Sequence, residues 1–286
     1  MDHVRWDDRP QLHRPVLVAA FEGWNDAADA ATAAARYLSA RWGARAFATI
    51  DAEEFFDFSA TRPEVRLTDG LAREIVWPSI DVSFARVPGG DHDVVFVIGA
   101  EPQLRWRTFC DEIMGIARQL DVELIVTLGA LLADVSHARP VRITGTAADP
   151  DLVKRLSLEH STYEGPTGIL GVLHDAATRV HIQSASLWAA VPHYVAATPS
   201  PKATLALVQR ATRLLSMSVV TSQLEQEALD YERQVSEVVE SDDDVAAYVR
   251  RLEEERDDDE HPPLELQTGD ALAAELEEFL KEQRGD

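Results

Sequence analysis

Two carboxylates, Glu22 and Glu101, follow apolar runs that are typical of buried strands. Glu22 comes directly after the run 16–21, and Glu101 comes shortly after the run 94–98. If both runs are parallel strands of one sheet, their carboxyl ends lie at the same edge, where open α/β sheets bind ligands. Two carboxylates at such an edge can act as general acid and general base. Glu22 and Glu101 are therefore the candidate catalytic pair of a small-molecule hydrolase or nucleosidase-like enzyme; the alternative is that they are solvated strand-end carboxylates.

Further polar side chains follow the predicted strands at the same edge. The turn after the first strand holds Trp24, Asn25 and Asp26, and two histidines follow later strands. Each has a structural interpretation as well: Asn25 and Asp26 as helix caps, Trp24 as a packing residue, and the histidines as partners of loop carbonyls. The structural interpretation is favoured for each residue taken alone. The ligand-binding candidates are Trp24, Asn25, Asp26, Glu101, His137, Thr167 and His193.

The glycine-rich segment 165–171 (GPTGILG) precedes a predicted helix. Backbone amides at a helix N-terminus can bind an anion, but this segment lacks the lysine of a specific phosphate-binding loop. A tight loop-to-helix joint is the preferred interpretation. The nine histidines are scattered, without the short spacing that places two ligands on one element, so the sequence predicts no metal site and no cofactor.

The elements that must position these residues follow from the apolar pattern. Short apolar runs at 16–21, 94–98, 124–128 and 182–190 read as buried strands, with helical periodicity between them. Strands that alternate with helices predict a three-layer α/β fold with a mostly parallel sheet. The segment 65–77 differs, because its apolar residues flank Thr-Asp-Gly, which predicts an antiparallel hairpin at an edge or in an insertion.

After residue 199 the sequence reads as helical only. Ser200 is the predicted N-cap of one helix, with Pro201 at its first position, and Ser241 is the predicted cap of a later one. Between them, apolar residues recur at alternating steps of four and three, a seam suited to packing against another helix or an oligomer partner. The predicted seam residues are Leu224, Tyr231, Val235 and Val238.

Charge is distributed unevenly along the 286 residues. The chain has 50 acidic and 27 basic side chains, and residues 225–286 alone carry 23 acidic and 6 basic ones. Nucleic acid and anionic membrane surfaces both require clustered lysine and arginine, so we expect neither as a partner. The first fifteen residues lack an apolar stretch of signal-peptide length, which predicts a cytoplasmic protein.

The predicted organisation has four parts. An N-terminal arm spans residues 1–15 and an α/β domain spans 16–200. A helical subdomain at 201–256 packs on the core, and residues 257–286 form an acidic linker with a short terminal helix.

Several strings resemble the PAC2 family, which is named after a proteasome assembly chaperone. Residues 21–28 (FEGWNDAA) resemble the opening strand–turn–helix of the family, and residues 129–140 (GALLADVSHARP) are similar to its central block. Three later strings are similar to the actinobacterial branch: YEGPTG at 163–168, SLWAAVPHYVA at 186–196 and PSPKATLAL at 199–207.

The resemblance implies an α/β domain of the nucleoside phosphorylase/hydrolase-like type with a C-terminal helical subdomain. It also implies self-association, as a homotrimer in the actinobacterial branch. Family members elsewhere bind proteasome α-subunits partly through a C-terminal hydrophobic–Tyr–any motif. This sequence ends in Gln283-Arg284-Gly285-Asp286, so we do not expect proteasome docking through that motif. The favoured function is a homo-oligomeric protein-binding or assembly module without catalytic activity, with the hydrolase or nucleosidase-like enzyme as the alternative.

Overall fold

A computed structural model describes residues 3–68, 72–87, 89–161, 163–196 and 198–254. Within these ranges the chain forms ten strands and seven α-helices. The strands are β1 (Val4–Trp6), β2 (Val16–Glu22), β3 (Arg45–Ile50), β4 (Glu64–Thr68), β5 (Ala72–Val76), β6 (Ile80–Arg86), β7 (Asp93–Ala100), β8 (Leu124–Ala133), β9 (Ile143–Ala147) and β10 (Gln183–Pro192). The helices are α1 (Ala30–Arg41), α2 (Trp106–Gln119), α3 (Pro150–Leu156), α4 (Ile169–Arg179), α5 (Pro201–Leu214), α6 (Ser222–Glu240) and α7 (Asp243–Glu254).

Eight strands form one sheet in the order β1-β3-β6-β7-β2-β8-β10-β9. The central strands β7, β2, β8 and β10 are parallel, whereas β1, β3, β6 and β9 pair antiparallel at the two sides. The sheet is therefore mixed, with a parallel centre. β6 and β7 are joined by the short segment 87–92, which is too short for the crossover that a parallel pair needs.

Helices cover both faces of the sheet, which confirms the three-layer α/β prediction. Along β2, Val16, Val18 and Ala20 belong to one apolar core with α1 and α5, and the intervening residues belong to a second core with α2 and α4. The small side chains of α1 let this helix lie close to the sheet; four of its alanines are fully buried. The parallel centre thus brings the carboxyl ends of β2, β7, β8 and β10 to one edge.

The β4–β5 hairpin forms a separate two-stranded sheet, as the sequence predicts. Val65 lies opposite Ile75 in its register, and Leu67 lies opposite Arg73. The tip, with the Asp69-Gly70 turn, lies outside the described residues.

Helices α5, α6 and α7 pack in succession: α5 lies against α1 and β10, α6 lies against α5, and α7 lies against α6. Leu224 joins the core beneath α1 and α5, and Tyr231 and Val235 form a small cluster with Val239 and residues of α7. The predicted seam is corrected at its end, because Val238 is 66% exposed and Val239 is buried. Val238 and Val239 lie on opposite sides of the row of seam residues on α6. Helix α7 packs on the side of Val239, so Val239 is buried and Val238 is exposed.

The helix caps agree in part with the prediction. Of the two predicted caps Asn25 and Asp26, it is Asp26 that accepts hydrogen bonds from the first amides of α1, with its carboxylate 2.6 Å from the backbone nitrogen of Ala31. At α7 the prediction is corrected, because Asp242 and not Ser241 accepts from the first amides. In both places an aspartate side chain lies at the positive end of a helix.

The predicted linker and terminal helix at 257–286 lie outside the described residues. Among the described helices, none combines the length and the apolar composition that crossing a bilayer requires.

Candidate functional site

The turn after β2 places three of the candidate residues at the carboxyl edge of the sheet. Gly23 has a φ of 101°, a left-handed conformation that favours glycine, and its backbone oxygen accepts from the amide of Asp26 at 3.0 Å. The tight turn directs the side chains of Asn25 and Asp26 inward, where they are 1% and 5% exposed. Trp24, in contrast, is 48% exposed at the surface.

Glu101 lies at the centre of this edge. Its Oε1 accepts a hydrogen bond from Nδ2 of Asn25 at 2.6 Å and one from the backbone amide of Ile169, the first residue of α4, at 2.9 Å. A carboxylate at this position satisfies a free amide and interacts favourably with the helix dipole. Glu101 therefore joins β7, the turn after β2 and α4 at one point.

This arrangement decides what the glycine-rich segment 165–171 does. Gly168 precedes α4, and a Cβ added to it would lie 2.4 Å from Oδ1 of Asn25, so only glycine fits there. The predicted anion position at the N-terminus of α4 is filled by the chain's own Glu101. The segment thus forms a tight joint between loop and helix, and the side chain of Thr167 is exposed beside it.

Glu22 has a different partner from Glu101. Its carboxylate pairs with Arg36 of α1, and the two side chains are 44% and 52% exposed. Both residues line a cavity of about 530 Å³ between the body and the β4–β5 hairpin. The acid–base pairing of Glu22 with Glu101 stays a prediction, and in the structure each carboxylate is held by its own partners.

Asp26 is the buried carboxyl group of the site. Its carboxylate accepts from the amides of Ala31 and Thr32 and from the Thr32 hydroxyl. Burial raises the pKa of Asp26, and the three hydrogen bonds oppose that effect. Its role here is to fix the start of α1.

His137 lies in a second group, at the end of β8. Its Nδ1 is 2.9 Å from the hydroxyl of Tyr194, and its Nε2 is 3.1 Å from the hydroxyl of Ser236 on α6. Lys202 contacts the backbone oxygen of His137 and the carboxylate of Glu232. Burial lowers the pKa of His137, and the Lys202 ammonium lowers it further. A neutral ring therefore links β8 to α6 near neutral pH.

His193, at the end of β10, forms part of the contact with α7. Its Nδ1 is 3.2 Å from Oδ1 of Asp134, which also accepts from the hydroxyl of Tyr248 at 2.8 Å. Nearby, the hydroxyl of Ser136 donates to Glu253 of α7 at 2.7 Å. The two histidines thus lie among the contacts that hold α6 and α7 against the strand ends.

The structure divides the predicted site into two groups. Asn25 and Glu101 are brought together, His137 and His193 lie in the second group, and Trp24 and Thr167 are exposed. Asp134, Tyr248 and Lys202 were not predicted from the sequence. Asp134 and Tyr248 lie 114 positions apart, and Lys202 lies 65 positions from His137, so no local spacing marks either pair. In the part of the chain that the structure describes, no three His, Cys, Asp or Glu side chains are grouped as a metal would require.

The β4–β5 hairpin carries an apolar surface that the sequence analysis did not single out. Val65, Leu67, Ile75 and Trp77 are 63%, 65%, 54% and 52% exposed. The opposite face of the hairpin, with Glu64, Arg66 and Val76, lines the cavity against the body. Trp77, which follows β5, also lines this cavity and packs against the ring of Phe58. The solvent-facing apolar surface, here named the hairpin patch, therefore consists of Val65, Leu67 and Ile75.

The predicted seam residues of α6 pack against other elements of the same chain. Leu224, Tyr231 and Val235 are 3%, 6% and 7% exposed and pack against α5, α7 and the loop after β10. These three side chains are covered by the chain itself, so they do not offer a surface to a partner. The residues of the hairpin patch, in contrast, are exposed.

Comparisons with known structures agree with this architecture. The chain is similar to a PAC2 family protein of Streptomyces avermitilis, at 46% identity and a TM-score of 0.76 over 82% of this chain and 99% of that one. It is also similar to a proteasome-assembly chaperone homologue of Mycobacterium tuberculosis, at 45% identity and a TM-score of 0.75 over the same shares. PbaB, an archaeal proteasome activator of Pyrococcus furiosus, shares the fold at 17% identity and a TM-score of 0.66, over 82% of this chain and 97% of that one.

A comparison with curated proteins found no match. The PAC2 family model matches residues 20–239, which begin in β2, include the Asn25–Glu101 contact and end in α6. This match spans more than half of the chain and confirms the resemblance of its strings. Together with the 45–46% identity over most of two solved structures, it shows that the chain belongs to the PAC2 family.

Proposed function

We propose that this protein is a homo-oligomeric protein-binding or assembly module and that the hairpin patch is its self-association surface. The observation that carries the proposal is the exposure of three large apolar side chains, Val65, Leu67 and Ile75, on a two-stranded sheet. Contiguous apolar patches of this kind on a soluble protein mark interaction surfaces. A cytoplasmic location and a homotrimer, as in the actinobacterial branch, are part of the proposal.

The occupant of the patch is a second copy of the chain. An isolated two-stranded hairpin is marginally stable in water and needs packing on at least one face. The inward side of this hairpin carries Glu64 and Arg66 and borders a cavity, with the ring of Trp77 packed on Phe58, so burial of the outward face adds stabilisation that the inward contacts do not supply. A second copy is the partner that is present whenever the chain folds.

The names of the similar proteins support assembly as the class of function. One relative at 45% identity is described as a proteasome-assembly chaperone homologue, and a protein that shares the fold is described as a proteasome activator. Both descriptions imply work on other proteins. The 45–46% identities to Streptomyces and Mycobacterium proteins support the actinobacterial branch.

We expect Leu67→Asp to weaken self-association at least about tenfold, because it removes buried apolar area and places a charge in the interface. The measurement is sedimentation velocity over a range of protein concentrations. Leu229→Asp on α6 is the matched control, since Leu229 is 62% exposed and Leu67 is 65% exposed. The control should keep the oligomer of the unmodified chain.

Three results would contradict the proposal. They are a monomeric unmodified chain, an oligomer that survives Leu67→Asp, and an oligomer that Leu229→Asp disrupts equally. Val238→Asp tests the exposed end of the predicted seam, which is 66% exposed. Loss of the oligomer in that variant alone would place the interface on α6 instead.

A further inference from the structure

A second cavity lies at the edge of the sheet opposite to the candidate site. It has a volume of about 730 Å³, and Val16, Leu124 and Gln183, at the first positions of β2, β8 and β10, form part of its lining. The end of α3 and the last turn of α5 form another part. The volume is in the range of sites for small molecules.

Arginines dominate the charge of this cavity. Arg14, Arg155, Arg210 and Arg213 line it, against two carboxylates. One carboxylate, Glu123, is already neutralised, because Nε and Nη2 of Arg14 each donate to it at 3.1 Å. The other, Asp91, contributes an attraction to Arg14. The remaining three arginines give the cavity a positive wall in a chain whose net charge is −23.

The hydrogen bonds of Arg155 and Arg210 in the positive wall go to neutral groups. Nη2 of Arg155 donates to Oε1 of Gln183 at 2.8 Å, and the charge of Arg155 also helps to lower the pKa of Asp149. Nη2 of Arg210 donates to the last carbonyls of α3, at 3.2 Å to Leu156 and 3.1 Å to Ser157. Within the described ranges, none of Arg155, Arg210 and Arg213 forms an ion pair with a carboxylate.

Two of these arginines repel each other. Arg210 and Arg213 are one helical turn apart on α5, and burial together with the charge of Arg213 lowers the pKa of Arg210. A like-charge pair held beside a cavity is unfavourable unless an anion neutralises it. The contact with the α3 carbonyls fixes Arg210 in place, so the positive charge is positioned before any ligand arrives.

We propose that this cavity binds a phosphate-bearing small molecule, with Arg155 and Arg213 as ligand-contacting residues and Arg210 as a fixed cation in the same lining. The guanidinium group matches phosphate oxygens with two parallel hydrogen bonds. Three arginines that form no ion pair with a carboxylate of the described residues suit a ligand with two or more negative charges. The site is independent of the hairpin patch, which lies on other elements.

Calorimetric titration of the full chain with inorganic pyrophosphate at low ionic strength tests the proposal. We expect a Kd below about 1 mM for the unmodified chain and at least about tenfold weaker binding for the double variant R155Q/R213Q. Both side chains are exposed, so the variant should fold; Arg210 is left in place because it binds the end of α3. R107Q/R118Q removes the same charge from exposed positions of α2 and is the matched control.

Three outcomes would overturn the proposal. The first is that pyrophosphate does not bind the unmodified chain with a Kd below about 1 mM. The second is that R155Q/R213Q binds pyrophosphate as tightly as the unmodified chain. The third is that R107Q/R118Q loses as much affinity as R155Q/R213Q, which would mean attraction by net charge alone. A circular dichroism melt of each variant shows that a lost signal reflects the site and not unfolding.

Discussion

Between pH 7 and pH 4, the free energy of unfolding of this protein should fall by about 3 kcal/mol more than that of its His174→Gln variant. His174 lies on α4 and faces the sheet, with Nε2 2.9 Å from the hydroxyl of Thr127 and Nδ1 2.9 Å from the hydroxyl of Ser184. Burial lowers the pKa of His174 from 6.5 to about 4. The ring is therefore neutral in the folded protein over most of this range.

The sign follows from proton binding in the two states. The unfolded chain binds a proton at His174 near pH 6.5, whereas the folded chain binds it only near pH 4. Between these values the unfolded state holds more protons, so acid favours unfolding. The stabilisation is fully present above pH 6.5 and is lost as the pH falls to about 4.

Urea unfolding at pH 7, 6, 5 and 4 measures this effect. Glutamine does not titrate and can still bond to both hydroxyls, so H174Q should lose little stability over the same range from this position. Other groups, including Asp26, titrate in both proteins and cancel in the comparison. H160Q removes an exposed histidine and is the control. Parallel pH curves for H174Q and the unmodified chain would show that His174 is not the group responsible.

Glu101→Ala should destabilise the protein by about 2–4 kcal/mol. The substitution removes the acceptor of the Asn25 amide and of the first amide of α4, and the Asn25 side chain is only 1% exposed. It also removes a negative charge from the N-terminus of α4, where such a charge is favourable. Glu101→Gln keeps an acceptor oxygen, so this variant should lose about half as much stability as Glu101→Ala.

Glu22→Ala provides the contrast, since Glu22 was the other half of the proposed catalytic pair. Its ion pair with Arg36 is about half exposed, and such pairs contribute less than about 1 kcal/mol. Urea unfolding of the three variants at pH 7 compares these losses. Equal losses for E22A and E101A would refute the assignment of Glu101 as the residue that joins β7, the β2 turn and α4.

Much of the fold could be predicted because its signals are local. The apolar runs of β2, β7 and β8 and the pairing of β4 with β5 all depend on residues close in sequence. Strand direction was less accessible: the antiparallel hairpin is predictable from its own residues, whereas the antiparallel pairing of β9 with β10 is not. Direction depends on how a connection crosses the sheet, which no single segment encodes.

The location of the candidate site could be predicted from the sequence, but its hydrogen bonds could not. The rule for open α/β sheets correctly brought Asn25 and Glu101 to one edge. It did not indicate that Glu101 would occupy the N-terminus of α4, nor that His137 would bond to Ser236. These contacts join positions 68 and 99 apart, so they depend on packing and not on spacing.

The hairpin has a further consequence, for aggregation. β4 and β5 each have one edge that no strand of the described chain covers, and uncovered edges recruit strands of other molecules into open-ended fibres. Here Glu64 and Arg66 alternate with the apolar residues of β4, and Arg73 and Glu74 interrupt those of β5. Charged residues in these positions oppose stacking of identical strands. The hairpin can therefore present apolar side chains to a partner of defined geometry while its edges resist unlimited growth.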